Sequence, residues 1–535
     1  MSKDHIPDIC VIGSGIAGAL AAYKLAAQGS QVVILEAGRY VKPAERMSYL
    51  REIQFNNLVN NKHTKAWRSD FRERDIFTNS GSVEYQLNSF RTKVVGGCTQ
   101  HWGGVAVRYT ESDFTLRSNW GIGDDWPIKY SDLEPYYGIA EWEIGVSGND
   151  DNPFSSWRST PFPMPAFPYS FTDKFFMGPC AKLGIKLHTV PYARNTKFRA
   201  NRPSCQAFGT CSSLRICPIR AQYSGDIHVE KALATNNVTL KSNSSVLHIN
   251  TDERGNVISV TFADKNGNQH EQKAKVFILA AHAVESARLL LMSTSSHYPN
   301  GLANNSGLVG KYFMEHLHTW ARGKISEQLY PYRIGFHTAE SHQFTNPDNR
   351  DDIGGIKISI QSNAGQKPSN LAKNNPGILG SGLSNYIRDN FGHTASVFAQ
   401  VEQLPDINNY VGLDDKIKDA FGMPAPCINM NIGEYERNTI NKGKAVISSI
   451  LEAVGARDIE YKSEIGFDAH HMGTCRMGND PEKSVVDANL KAHDVNNLYI
   501  LGSSTFVTGG VTHPTLTIAA LSLRAAEHIA KKNMA

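Results

Sequence analysis

The sequence predicts an α/β fold, α+β over the whole chain, from three observations. They are a strand–turn–helix–strand pattern at the N-terminus, short alternating strands between 238 and 281, and an alanine-rich helix pattern near the C-terminal end. At 535 residues the chain exceeds what one hydrophobic core sustains, so more than one packed unit is expected. Apolar residues make up 41% and charged residues 20%, the usage of a globular rather than a disordered protein.

The first element, "DICVI" at 8–12, reads as a short buried strand, and "IAGALAAYKLAAQG" reads as a helix ending near Gly29. Between them, GSGIAG sets Gly13, Gly15 and Gly18 at the G-x-G-x-x-G positions: tight turn, close approach of a pyrophosphate, helix against strand. A phosphate would rest on the free amides where the helix begins, at Ile16 and Ala17, and the dipole there favours negative charge. A second strand, "QVVILE", ends in Glu36, followed by Ala37. A carboxylate there can accept hydrogen bonds from both hydroxyls of an adenosine ribose, and it disfavours a phosphorylated ribose. A glycine turn without a ligand is the plain alternative, and strand, turn, helix, strand and acid together outweigh it. FAD and NAD both remain open at this point.

The apolar run "ICVIGSGIAGALAA" reads poorly as a secretory leader, because Asp4 and Asp8 accompany Lys3, so a cytoplasmic location is expected from the chain itself. The net charge of +4 is spread over 55 basic and 51 acidic residues without a basic block, which argues against nucleic acid and anionic membrane as partners. "VFILAAHAVESARLLLM" is interrupted by His282, Glu285 and Arg288, so no direct membrane span is expected.

Further along, "TKVVGGCTQHWGG" at 92–104 places glycine pairs around His101 and Trp102, and a proline-rich run at 153–168 marks a boundary. From 238 to 281 three strands are expected, "VTLKSNSSVLHI", "VISVTFA" and "KAKVFILAA", joined at "DERGN" and "KNGNQ". The segment 311–462 is weakly patterned, as expected for a sheet domain facing a substrate. The final "THPTLTIAALSLRAAEHIA" reads as a helix able to aim its first amides at a polar ligand edge.

GSGIAG with Glu36, "VVGGCTQHWGG", "HHMGTCRMG" and "NLYILGSSTFVTGGVTHPTLTIAAL" stand in a fixed order that resembles the glucose-methanol-choline (GMC) family of FAD oxidoreductases, over essentially the whole length. Within it the chain looks most like the catalytic subunits of bacterial FAD-dependent sugar dehydrogenases, with pyranose oxidases nearby. The resemblance implies FAD as cofactor. It also implies a Rossmann-like FAD-binding domain from residues 1–47, 210–310 and 463–535, flavin-covering and linker segments with a cysteine loop over 48–209, and a substrate-binding domain on an antiparallel sheet over 311–462. Gly96, Gly97, His101, Trp102, Gly103, Val246, Gly502 and Thr515 join the N-terminal residues as implied flavin-lining positions.

Family members carry one histidine three residues before a Gly-Thr-Cys turn and a second His or Asn just before the last helix; here these are His470 and His513. Oxidising an alcohol requires removal of the hydroxyl proton while hydride leaves for flavin N5, which suits an imidazole base. His470 is expected to be that base and His513 its partner. Neighbouring side chains diverge in a strand or helix, so His471 is expected to be structural. A metal pair at 470 and 471 lacks companion ligands at zinc spacing, although Cys475 is near.

In pyranose oxidases a Thr-His-Trp histidine bonds the flavin covalently; His101 occupies that place, with Gln100 where they have Thr. In sugar dehydrogenases three cysteines bind a 3Fe-4S cluster. Cys205, Cys211 and Cys217 answer to them, two residues wider between the second and third, with Pro218 and Ile219 following as in that pattern. The expected activity is oxidation of a sugar or glycoside hydroxyl to a ketone or lactone. Electrons would pass to a cytochrome acceptor, with a small subunit as partner and co-export to the periplasm with it. Alternatives are an oxidase using oxygen, a hydroxynitrile lyase-like enzyme holding FAD, and a flavin-loaded electron-transfer subunit.

Overall fold

The computed structural model describes residues 6–47, 76–87, 91–209, 211 and 217–534. Residues 48–75 and 88–90 of the expected flavin-covering segment, and 210 and 212–216 of the cysteine loop, lie outside the described residues.

Five short strands from distant parts of the chain form a parallel sheet in the order Leu498–Ile500, Val276–Leu279, Ile9–Ile12, Val32–Leu35, Val238–Lys241. The runs ICVI and VVIL are buried at every position, as strands covered on both faces must be, which is why they lack polar alternation. The helix Ile16–Ala27 packs against Thr515–Met534 and Asp226–Leu233. Ile12 pairs with Leu35 and Leu279, and Leu279 with Ile500, so four strands end level. Gly13, Glu36, Ala280 and Leu501 therefore leave the sheet along its carboxyl edge, where open α/β sheets bind ligands.

Two strand expectations change. "VTLKSNSSVLHI" is divided: Val238–Lys241 joins the parallel sheet, while Ser245–Thr251 begins an antiparallel sheet with Val257–Ala263 and Gln269–Lys273. The break falls at Asn243, whose φ is +53°, and the Asn243 and Ser244 amides donate to the Gly38 and Glu36 carbonyls. The third meander strand is the polar QHEQK, and Val276–Leu279 of "KAKVFILAA" belongs to the parallel sheet instead.

A third and larger sheet is antiparallel, in the order Arg457–Tyr461, Leu317–Lys324, Thr394–Val401, Ile356–Ile360, Ala339–Phe344, His188–Thr189, with Gly466–Phe467 also on Leu317–Lys324. Side chains alternate between its faces. Ile356, Ile358, Ile360, Val397, Ala399 and Val401 form an apolar core on which the helix Glu434–Ala453 packs. Lys357, Ser359 and Gln400 alternate with them and so occupy the opposite face.

Candidate active site

A cavity of about 340 Å³ runs from the carboxyl edge of the parallel sheet to the far histidines. It is lined by Gly13, Gly15, Ile16, Ala17, Glu36 and Ala37 from the first β–α–β unit, by Gly97, His101, Trp102, Gly103 and Val246, and by His470, Gly502, His513 and Thr515 from the last part of the chain. Gly18 and Gly96 stand behind this wall. A Cβ on Gly18 would lie 2.1 Å from the Gly13 carbonyl oxygen, and the Gly96 amide donates to Ser14 Oγ at 3.2 Å. A Cβ on Gly15 or Gly502 would meet nothing within 4 Å, so bare backbone faces open space at both positions.

Glu36 is buried. Its Oε2 accepts from Ser14 N (3.0 Å) and Ser14 Oγ (2.6 Å), and its Oε1 from Gly38 N (2.8 Å). Burial raises its carboxyl, and these donors oppose the rise. Helix-start amides for a pyrophosphate, a fixed carboxylate for a ribose, and a long cavity fit a dinucleotide such as FAD.

At the far end the catalytic candidates are held by residues from the antiparallel sheet. His316 Nε2–H donates to the carbonyls of Gly509 (3.1 Å) and Gly510 (3.0 Å), which leaves Nδ1 as the acceptor. Gln400 Nε2 donates to that Nδ1 at 3.1 Å, and His470 Nδ1 lies 2.8 Å from it. His470 therefore carries its proton on Nδ1 and keeps a lone pair on Nε2, which has no partner among the described residues. Burial, then His316, holds His470 well below the ordinary histidine value, and burial lowers His316 to about 4, so both rings are neutral at pH 7.

His513 sits with its ring centroid 4.9 Å from that of His470. Its Nδ1 accepts from Lys357 Nζ at 3.1 Å, so Nε2 bears the proton. Lys357 also donates to Gln400 Oε1 at 3.1 Å and lies 3.9 Å from Glu340 Oε2. Burial lowers Lys357 and Glu340 opposes this; burial, then Lys357, lowers His513. The dyad thus presents an acceptor on His470 and a donor on His513. His316, Lys357 and Gln400 were not singled out in the sequence; the signal available was the alternating "EHLH" at 315–318 and a lysine inside an isoleucine strand.

His471 points elsewhere. Val284 N donates to His282 Nδ1 (3.3 Å), so His282 Nε2–H donates to His471 Nδ1 (2.9 Å), His471 Nε2–H to Tyr85 Oη (2.7 Å), and Tyr85 to Glu315 Oε2 (2.5 Å). Both His471 nitrogens are occupied, so it has no free lone pair. Glu315 Oε1 accepts from the backbone amides of His316 (2.9 Å) and His470, tying the two strands together; burial lifts its carboxyl to about 8.

Trp102 Nε1 donates to the Tyr223 carbonyl at 2.8 Å. Gln100, in place of threonine, accepts from Arg46 Nη2 at 2.6 Å and donates to the Val95 carbonyl at 2.8 Å, a structural use that leaves His101 on the cavity wall. Cys205, Cys211 and Cys217 stand around Arg194 and do not line the cavity, although Gln222 bridges the two, its amide donating to Cys217 Sγ (3.4 Å) and its Nε2 to the Trp102 carbonyl (2.7 Å). Arg194 Nη1 is 3.5 Å from Cys211 Sγ and its guanidinium stacks on Phe167 and Tyr192, while its buried Nε and Nη2 have no hydrogen-bond partner among the described residues. Burial, and then Cys211 and Cys205, raise the Cys217 thiol.

Residues 73–318 and 405–522 match family models described as GMC oxidoreductase, and 8–44 match a model described as FAD dependent oxidoreductase. The chain is 32% identical to the fructose dehydrogenase large subunit of Gluconobacter japonicus, over 98% of this chain and 97% of that one. It is 31% identical to 2-methyl-1,2-propanediol dehydrogenase of Mycolicibacterium austroafricanum, over 98% and 95%. In fold it is similar to formate oxidase of Aspergillus oryzae RIB40, with a TM-score of 0.69 at 14% identity over 100% of both chains.

Proposed function

The chain belongs to the GMC oxidoreductase family and is an FAD-dependent oxidoreductase acting on CH–OH donors; on that premise we propose that it oxidises a sugar or glycoside hydroxyl to a ketone or lactone, with His470 as base. The carrying observation is the pair of opposite imidazole roles, the Nε2 lone pair of His470 beside the Nε2–H of His513. Bound FAD, held by the cavity from Glu36 to Thr515, supplies the acceptor for the hydride leaving the substrate carbon. His470 Nε2 takes the hydroxyl proton. His513 Nε2–H donates to the same oxygen as negative charge develops on it, an electrostatic role that strengthens in a water-poor site. The resulting His470 imidazolium keeps its Nδ1–H bond to His316, and the Asp468 carboxylate favours its charge. His101 is read as a wall of the flavin site; weighing the denatured chain tests covalent attachment, the mass of the bare polypeptide supporting this reading and added flavin mass marking a covalent bond.

Cys205, Cys211 and Cys217 are read as ligands of a 3Fe-4S cluster. The reading is supported by their shared position around Arg194, a buried cation stacked on Phe167 and Tyr192 with two nitrogens that have no hydrogen-bond partner among the described residues, suited to an anionic cluster. Such a cluster supplies one-electron transfer toward a cytochrome acceptor. A small subunit would be the partner for that route and for periplasmic export. No helix among the described residues is long and apolar enough to cross a membrane.

The test is an anaerobic titration of the purified flavoprotein with a panel of sugars, fructose first. Bleaching of the flavin bands by at least one sugar supports the reading, and bands unchanged by every sugar, aldose, ketose and glycoside, overturn it. Broad absorbance left after bleaching, with an iron-sulfur paramagnetic signal on oxidation, supports the cluster. Its absence together with peroxide formation in air favours the oxidase.

A further inference from the structure

Outside the cavity, the antiparallel sheet carries a second group of chemical side chains. His188 and Glu340 face each other across paired strands, and His342, two residues beyond Glu340, shares their face because side chains alternate. His188 Nε2 lies 2.9 Å from His342 Nδ1, which lies 3.9 Å from Glu340 Oε1. The three residues are 1%, 3% and 0% exposed, so bulk water does not satisfy them. Yet Glu340 Oε1 and His342 Nε2 have no hydrogen-bond partner among the described residues. Buried polar atoms of this kind are costly and usually have a reason.

We infer that His188 Nε2, His342 Nδ1 and Glu340 Oε1 form a binding site for a divalent transition metal, zinc by its donor chemistry. Two imidazoles and a carboxylate are a zinc set that leaves a fourth position for water. His188 Nδ1–H donates to the Thr189 carbonyl at 2.9 Å, which fixes the tautomer that aims Nε2 inward, as outer partners of metal-bound histidines do. With bonds of about 2.0–2.1 Å around a tetrahedral ion, donor atoms stand about 3.3–3.4 Å apart. The imidazoles part by a few tenths of an ångström and the carboxylate closes on His342 by about half an ångström, and by more on His188, whose ligand atom lies within 4.8 Å of the Glu340 oxygen. The His342 proton now shared with His188 moves to the unpartnered Nε2, so no proton has to leave. His337 Nε2, at 3.2 Å, and Lys357, at 3.9 Å, engage the other carboxylate oxygen and leave Oε1 available.

The probe is zinc alone. Flavin-loaded protein is stripped with a chelator, dialysed against zinc, desalted, and its zinc measured per chain. About one ion per chain is expected, falling to about a tenth or less in Glu340→Gln and in His342→Phe with flavin content retained. No zinc held by the unsubstituted protein, or parental zinc in both variants, overturns the site. Should the variants lose their flavin, anomalous diffraction at the zinc edge from the unsubstituted protein decides. A peak among His188 Nε2, His342 Nδ1 and Glu340 Oε1 sustains the site, and no peak there overturns it.

Discussion

Two backbone carbonyls, of Gly509 and Gly510, set the tautomer of an imidazole they do not touch, because His316 relays their demand for a proton to His470. Replacing His316 by phenylalanine removes the acceptor for His470 Nδ1–H and lets the proton occupy the wrong nitrogen. Flavin reduction in His316→Phe should slow by about tenfold to 100-fold with substrate affinity little changed, measured by anaerobic stopped flow. His513 offers the complementary test. Its leucine variant loses a donor to a charged oxygen and should slow by about 100-fold to 1,000-fold, whereas His513→Asn keeps an amide donor and should lose less. The pH dependence has a definite sign: only neutral His470 can accept a proton, and burial lowers its pKa. Reduction rates should therefore hold steady on acidification through pH 6.5, the ordinary histidine value, and fail only below it. A midpoint at or above that value would assign the limb to another group.

At the scale of the element, the first β–α turn separates two uses of glycine. A Cβ on Gly18 would strike the Gly13 carbonyl, so Gly18→Ala should weaken strand-to-helix packing and lower the thermal midpoint. A Cβ on Gly15 meets only the cavity, so Gly15→Ala should fold but bind FAD more weakly, as flavin fluorescence after desalting reports. This unit was legible because its glycines sit between two continuous apolar strands. The split at Asn243 was not, since Ser242, Ser244 and Ser245 give the same polar pattern in a strand and in a turn. Gln269–Lys273 was invisible to hydrophobic patterning because most of it is exposed and polar, pairing with Val257–Ala263 through the backbone and one ring stack, His270 on Phe262. His470 and His513 could be read from a motif. His316, Lys357 and Gln400 could not, because their importance arises only when separate strands of a sheet are brought into register.

For the whole molecule, stability and chemistry share one cost: many imidazoles are buried in the neutral form. His316, His342, His470, His471 and His513 all have folded pKa values depressed below 6.5, so on unfolding each takes up a proton once the pH is below that value. Their contribution is present above pH 6.5 and is lost as the pH falls toward the folded values. Glu315, raised to about 8, acts in the opposite sense between 4.5 and 8, and the raised carboxyls of Glu36, Asp113 and Glu436 act with it, while His228 and His528 add to the five, so depressed imidazoles outnumber raised carboxyls. The thermal midpoint of the flavin-loaded protein should therefore be lower at pH 5 than at pH 7, and an equal or higher midpoint at pH 5 would show that these rings are not buried neutral. The comparison of greatest weight is the anaerobic rate of flavin reduction by a sugar that bleaches the parent protein, measured for His470→Ala. With flavin still bound, the rate should fall by at least about 100-fold; a rate equal to the parent's would mean that some other group takes the proton.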